Sequence, residues 1–262
     1  MKVDYDRVKD KFAEYTSHYD ITNPKVELKV NHTYRVAQVA LEIAKSLKLS
    51  QEDCDEAWLI GMLHDVGRFE QIRRFNTFFD SKCIPHAEIG LEVLFDEGKI
   101  SEYIDDTSEN EIIRTAIAYH SVYILPENLS ERELLFCNIL RDADKVDILR
   151  VQVDTPLEDI YDVTTRELRE SLVTKEVMDA FLEEHTVLRS LKKTAVDHVV
   201  GHISLIYGLV YDKSVEIVKD QDYISLLLNY QSDNPNTIKQ FEIISEHMKA
   251  YLRQKTGTAF LK

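Results

Sequence analysis

The chain has 262 residues, enough to bury a full hydrophobic core, and we expect a single domain. Its 47 acidic residues against 32 lysines and arginines give a formal net charge of −15, which repels nucleic-acid backbones and anionic membranes and excludes a general DNA or RNA binder. Seven glycines and five prolines are too few turn-formers for many short strands, so the expected fold class is all-α.

Asn23-Pro24 opens a helix well, because asparagine caps free amides and proline loses nothing at the first helical position. The helix runs to about Leu47. Along it His32, Val36, Val39 and Ile43 keep helical spacing, so the imidazole lines up with an apolar stripe and faces inward. Ser50 and Asp53 read as a capping box for the next helix, on which Cys54, Ala57, Trp58, Gly61 and Met62 lead to His64-Asp65. Gly67 is expected to end that helix in the left-handed conformation, leaving His64 and Asp65 in its last turn, with side chains about 100° apart.

Pro85 starts a further helix on which His86, Ile89, Val93 and Leu94 share a face. Ser108 and Glu111 form another capping box, followed by Ile113, Ala116, Ile117 and His120 on one stripe. After the breaker Leu125-Pro126-Glu127-Asn128, Ser130 and Glu133 cap a helix with Phe136, Cys137, Leu140 and Asp144 on one face. Asp142 falls on its other side, and Asp147 lies one turn on, placed to support a ligand from behind. Beyond about Val151 the pattern weakens: Val153-Asp154-Thr155-Pro156 reads as a loop, and helical patterns recur around Val196–Tyr211 and Ile238–Leu252. The expected organisation is a ligand-bearing core over about 25–150 and a helical C-terminal extension over about 151–262.

Cys54, Cys83 and Cys137 are odd in number and form no CxxC pair, which reads as reduced structural thiols. The opening Met1-Lys2-Val3-Asp4-Tyr5-Asp6 lacks the apolar run of a secretory signal, and no stretch approaches the ~18 uncharged apolar residues of a membrane span, so a cytoplasmic protein is expected.

A single inward histidine is more often a hydrogen-bonded core residue than a metal ligand. Four inward histidines and two aspartates on five helices are different, because each buried polar atom needs a partner and metal ions satisfy all of them together. Their order, His32, His64-Asp65, His86, His120 and Asp144, resembles that of the HD-domain superfamily of metal-dependent phosphohydrolases over about Lys25 to Arg150. His64-Asp65-Val66-Gly67-Arg68 is similar to the family's HDxGK/R element, and Asp142-Ala143-Asp144-Lys145-Val146-Asp147 to its DADKxD element. The resemblance implies an HD-type helical bundle of the two-metal subclass. His32, His64, Asp65 and Asp144 would hold one ion, His86 and His120 a second, with Asp65 bridging. The HD-GYP branch is not matched, since this chain reads Tyr119-His120-Ser121 and then Leu125-Pro126 where that branch has a paired histidine and a GYP tripeptide.

Charge counting indicates the reaction. Two divalent ions outweigh two aspartates, so the site stays cationic, lowers the pKa of a bridging water from about 15.7 toward ~7 and attracts an anionic phosphate. The expected substrate is a phosphomonoester or phosphodiester of a nucleotide or related small metabolite. Four imidazoles disfavour magnesium and leave iron, manganese, nickel, cobalt or zinc. Arg68, just after the metal-binding turn, is the preferred phosphate contact, with Arg73, Arg74 and Lys82 behind it. Lys145 is expected to reach the substrate or to pair with a ligand carboxylate. His198 and His202 form an HxxxH pair without the glutamate of HExxH, which reads as structural or as a pocket wall; His18, His185 and His247 receive no role. The rival readings are a di-iron oxygenase with the same six-ligand order and a non-catalytic metal-binding sensor. No Walker or GxGxxG loop supports a kinase or dinucleotide enzyme.

Overall fold

The structure, a computed structural model, describes residues 1–256. Helices α1 (Tyr5–Ser17), α2 (Pro24–Ser46), α3 (Gln51–Leu63), α4 (Val66–Phe75), α5 (His86–Leu91), α6 (Ile100–Tyr103), α7 (Asn110–Tyr119) and α8 (Glu131–Asp154) follow one another. The chain then continues through α9 (Leu157–Tyr161), α10 (Thr165–Glu170), α11 (Lys175–Leu182), α12 (Ala195–Ile203), α13 (Asp212–Gln221), α14 (Tyr223–Leu228) and α15 (Pro235–Thr256). No strand occurs among the described residues, so the fold is all-α. None of their helices is long and apolar enough to cross a membrane. The contacts divide into two compact units, one of residues 1–144 and one beginning at Lys145, with the division inside α8.

In the first unit the caps that the sequence announces are mostly present. Asn23 accepts from the Lys25 amide at the start of α2, and Ser50 from the Asp53 amide at the start of α3. Ser130 and Glu133 bond reciprocally at the start of α8. The Ser108–Glu111 box is not formed: an Asp106 turn takes the Ser108 amide at 2.9 Å, and α7 starts at Asn110 behind Glu109 with no side-chain cap.

Helix α3 is the centre of this unit and is buried without a break from Cys54 to Leu63. It packs on α2 so closely that a Cβ on Gly61 would lie 2.6 Å from Ala37 Cα, which brings His32 and His64 to the same place. Gly67 also differs from expectation. It lies in the first turn of α4, and the left-handed residue comes later, at Asn76 (φ 51°). Gly67 is required by packing: a Cβ there would fall 2.1 Å from the His86 carbonyl oxygen and 2.5 Å from the Gly90 amide nitrogen. Backbone contact between α4 and α5 sets how near His86 comes to Asp65. Phe69 anchors α4 on α1 through edge contacts with Phe12 and Tyr15, and the Tyr15 hydroxyl donates to the Val66 carbonyl.

The second unit is built from shorter helices. The expected loop at Val153-Asp154 is corrected, since α8 continues through Asp154, and the helical pattern at Val196–Tyr211 is α12 followed by a 3-10 turn over Ser204–Gly208. Its core includes Val177, Phe181, Val196, Val200, Ile203, Ile224, Ile244 and Leu252. Asp197 is fully buried, and its carboxylate accepts from the amides of Thr174, Lys193 and Thr194 and from the Thr174 hydroxyl, capping α11 and α12 together.

Candidate metal centre

All six expected ligands belong to the first unit. His32 comes from the middle of α2, His64 and Asp65 from the junction of α3 and α4, His86 from the first residue of α5, His120 from the end of α7 and Asp144 from α8. The four histidines and Asp65 are buried, whereas the Asp144 side chain is 17% exposed. Asp65 caps α4 by position yet makes no side-chain cap bond, so its oxygens stay available to the histidines. They divide cleanly. Oδ2 lies 3.7 Å from His32 Nε2 and 3.5 Å from His64 Nε2, while Oδ1 lies 3.4 Å from His86 Nε2 and 4.0 Å from His120 Nε2. Asp144 Oδ1 adds itself to the first group, 3.1 Å from His32 Nε2 and 3.9 Å from His64 Nε2. The structure therefore brings together two sets that could each hold an ion, His32-His64-Asp65 and Asp65-His86-His120.

Hydrogen bonds fix which ring nitrogens carry lone pairs. His64 Nδ1 lies 2.7 Å from the Gly61 carbonyl and His120 Nδ1 2.7 Å from the Ile117 carbonyl, and a carbonyl only accepts. His86 Nδ1 likewise faces both oxygens of Asp80, at 2.9 and 3.0 Å. In a neutral ring the proton is thus on Nδ1 and the lone pair on Nε2. His64 Nε2 is buried with no hydrogen-bond partner. His86 and His120 direct their Nε2 atoms at each other across 2.8 Å, so two lone pairs face one another. That arrangement is repulsive alone and suits a divalent cation held by both rings, and the orphaned His64 Nε2 beside Asp65 fits a metal in the same way.

The electrostatics agree. Burial alone would raise the Asp65 carboxyl, but the Lys29 ammonium, His64 and Arg68 outweigh it and hold the group well below the usual carboxylate range. Asp144 is also held low, with His32 overcoming burial. Burial, reinforced by His86 and His64, pushes His120 down to about 3, and burial together with Arg68 lowers His86.

Two participants escape a reading of the sequence. Lys29, one turn before His32 on α2, places Nζ 2.6 Å from Asp65 Oδ2; the three-residue spacing to His32 is the signal that would have found it. Asp80 orients His86 from the loop before α5, where no periodicity points to it. Burial would raise Asp80, but its bond to His86 and the nearby Arg68 hold it low. Arg68 is 14% exposed, and its NH1 group donates to the Phe78 carbonyl, to Gln71 and to Asp80, whereas its buried Nε, 3.6 Å from Asp65 Oδ1, has no hydrogen-bond partner. Arg73 and Arg74 pair with Glu70, and the Lys82 ammonium lies 4.6 Å over the Phe79 ring. Lys145, in the second unit, donates to the Gly208 carbonyl. Asp142, expected on the far side of α8, is fully buried, as is Asp147.

The family model of the HD domain matches residues 30–149, a span that contains all six of these ligands. Over these residues the chain is similar to the HD domain. HD domains bind divalent metals and are generally metal-dependent hydrolases, in keeping with the histidine and aspartate sets. No curated protein and no solved structure matches the chain.

Proposed function

We propose that this HD domain holds two divalent ions and hydrolyses a phosphomonoester or phosphodiester of a nucleotide or related small metabolite. The observation that carries the reading is the division of one buried carboxylate between two imidazole pairs, Asp65 Oδ2 toward His32 and His64 and Oδ1 toward His86 and His120. His32, His64, Asp65 and Asp144 are the ligands of one ion, and Asp65, His86 and His120 of the other. Imidazole donors suit iron, manganese, nickel, cobalt or zinc better than magnesium. Bound there, such ions acidify a water to a nucleophile at neutral pH and stabilise charge on the phosphoryl oxygens.

The chain's own residues supply orientation. Gly61, Ile117 and Asp80 hold three rings with Nε2 inward, and Asp80 is itself braced by Arg68 and Gln71. Arg68 is anchored through NH1, which leaves its Nε–H uncommitted beside Asp65 and able to donate to a phosphate oxygen.

The deciding experiment measures metal content after purification without added metal. It then screens phosphomonoesters, nucleotides, cyclic nucleotides and phosphonates with iron, manganese, nickel and zinc, aerobically and anaerobically. Two ions per chain and phosphate release independent of oxygen are expected. Oxygen consumption coupled to bond cleavage, with no oxygen-independent release from any phosphoester, would replace hydrolysis by oxygenase chemistry.

A further inference from the structure

Outside the HD match, the second unit contains a lysine that nothing in the fold accounts for. Lys192 is half-buried and lies over the backbone of α12 at Gly201, where a Cβ would come within 2.2 Å of Lys192 Cε and 2.5 Å of Nζ. A glycine inside a helix is unfavourable, and here it makes room for the ammonium end of this side chain. His198 and His202 flank Gly201 on the same helix. Tyr161 closes the cluster: its ring stacks on His202 at 5.6 Å with the planes 6° apart and sits 5.1 Å from His198. Its hydroxyl bonds His202 Nδ1 at 2.7 Å and also Gln152.

Among the described residues, neither Lys192 nor Arg189, one turn earlier, has a side-chain hydrogen bond or a carboxylate partner. The chain holds 47 carboxylates, so the lack of a pair is not a shortage of anions. Asp197, whose field reaches Lys192, is occupied in capping α11 and α12. Burial and the neighbouring Arg189 push the Lys192 ammonium down to about 8, and burial together with Lys192 pushes both imidazoles below their ordinary range. A part-buried cation without a counter-ion is costly, and proteins that keep one usually have a use for its charge.

We propose that Lys192, Arg189, His198 and His202 form a binding site for the phosphate group of a small molecule. Two cationic side chains and two imidazoles that gain protons beside an anion match a dianion better than a single carboxylate. His198 also lines an open cleft of about 600 Å³, whose other walls include Arg166 and Lys193 as well as Glu167 and Glu170, the two carboxylates being held by the Thr164 cap and by Arg166.

The test uses the full chain, stripped of metal and dialysed free of chelator. Thermal melting is followed against inorganic phosphate, AMP and acetate, each compared with sodium chloride at matched ionic strength. Phosphate or AMP is expected to raise Tm while acetate does not. A response to AMP at lower concentration than to phosphate assigns the site to a phosphorylated metabolite, and the reverse order assigns it to free phosphate. Lys192→Met should melt above the wild type in chloride, because an unpaired charge is gone, and should lose the phosphate response. Gly201→Ala keeps every charge but places a Cβ where Lys192 Cε lies; it should lose the same response and covers the case in which Lys192→Met fails to fold. A wild type equally stable in phosphate, AMP and chloride overturns the proposal. So does a Lys192→Met or Gly201→Ala protein that responds as the wild type does.

Discussion

The two units each bury a group of histidines, and the groups differ in what stands beside them. In the HD domain, His64, His86 and His120 have Nδ1 occupied and turn Nε2 toward the carboxylate of Asp65. In the second unit, His198 and His202 lie beside Lys192, which among the described residues has no ion-pair partner, and the nearby carboxylate of Asp197 is taken up in capping α11 and α12. The i,i+4 pair His198–His202 looks more like a metal motif on paper than four histidines scattered over four helices. The charge of the neighbour decides otherwise: imidazoles around an anion are completed by a cation, and imidazoles around a cation by an anion.

The contrast is most directly broken at Asp65. Asp65→Asn should abolish turnover and deplete both ions, while His120→Ala should chiefly lose one, both read by elemental analysis of the purified proteins. An Asp65→Asn protein that keeps two ions and near-normal turnover means that the carboxylate is not shared.

The two lysines should then respond with opposite signs. Lys29→Met leaves the buried Asp65 carboxylate without its 2.6 Å partner and should destabilise the metal-free protein by about 3 kcal/mol. It should also tighten binding of the first ion, because no ammonium competes for Oδ2. Chemical denaturation with and without metal reads both effects, and equal stability of mutant and wild type without metal removes Lys29 from this role. Lys192→Met is the mirror case, gaining stability where Lys29→Met loses it.

With metal added to saturation, Arg68→Ala should lower kcat/KM for the phosphate substrate by on the order of 2 kcal/mol, since the guanidinium donates to phosphate and cannot ligate an ion. An unchanged kcat/KM on the true substrate would limit Arg68 to bracing Asp80 and Gln71.

The smallest effect concerns pH. Lys192 titrates at about 8 in the folded chain against an ordinary 10.5, among Arg189, His198, His202 and Asp197. Between those values the unfolded chain binds the extra proton, so the destabilisation by Lys192 is fully present below about pH 8 and is relieved as pH rises toward 10.5. The advantage of Lys192→Met in melting temperature should therefore shrink across that window, and a constant difference would contradict a buried, unpaired ammonium.

The sequence shows the ligands because each sits on a periodic helix whose apolar stripe fixes where its side chain points: His32 in line with Val36, Val39 and Ile43, His120 with Ile113, Ala116 and Ile117. It does not show what distance in space determines. Asp80 reaches His86 from an aperiodic loop, and Gly67 carries the same letter whether it ends a helix or admits a neighbouring backbone. Asp142 misleads because α8 is buried on more than one side, so a single apolar face does not separate inside from outside. In the second unit, helices of five to ten residues between α8 and α15 are too short for periodicity to stand out.

The ion pair between Lys29 and Asp65 also bears on how the protein matures. Many small metal-dependent domains fold only when their metal arrives, because its binding free energy supplies their folding free energy. Here Lys29, on the helix that also supplies His32, gives the buried Asp65 carboxylate a counter-ion of the chain's own, so the metal-free protein is expected to be folded. Loading of the proposed ion would then be an exchange on a formed scaffold, with the ammonium leaving Oδ2 as the metal arrives, and loss of the metal would return the carboxylate to Lys29.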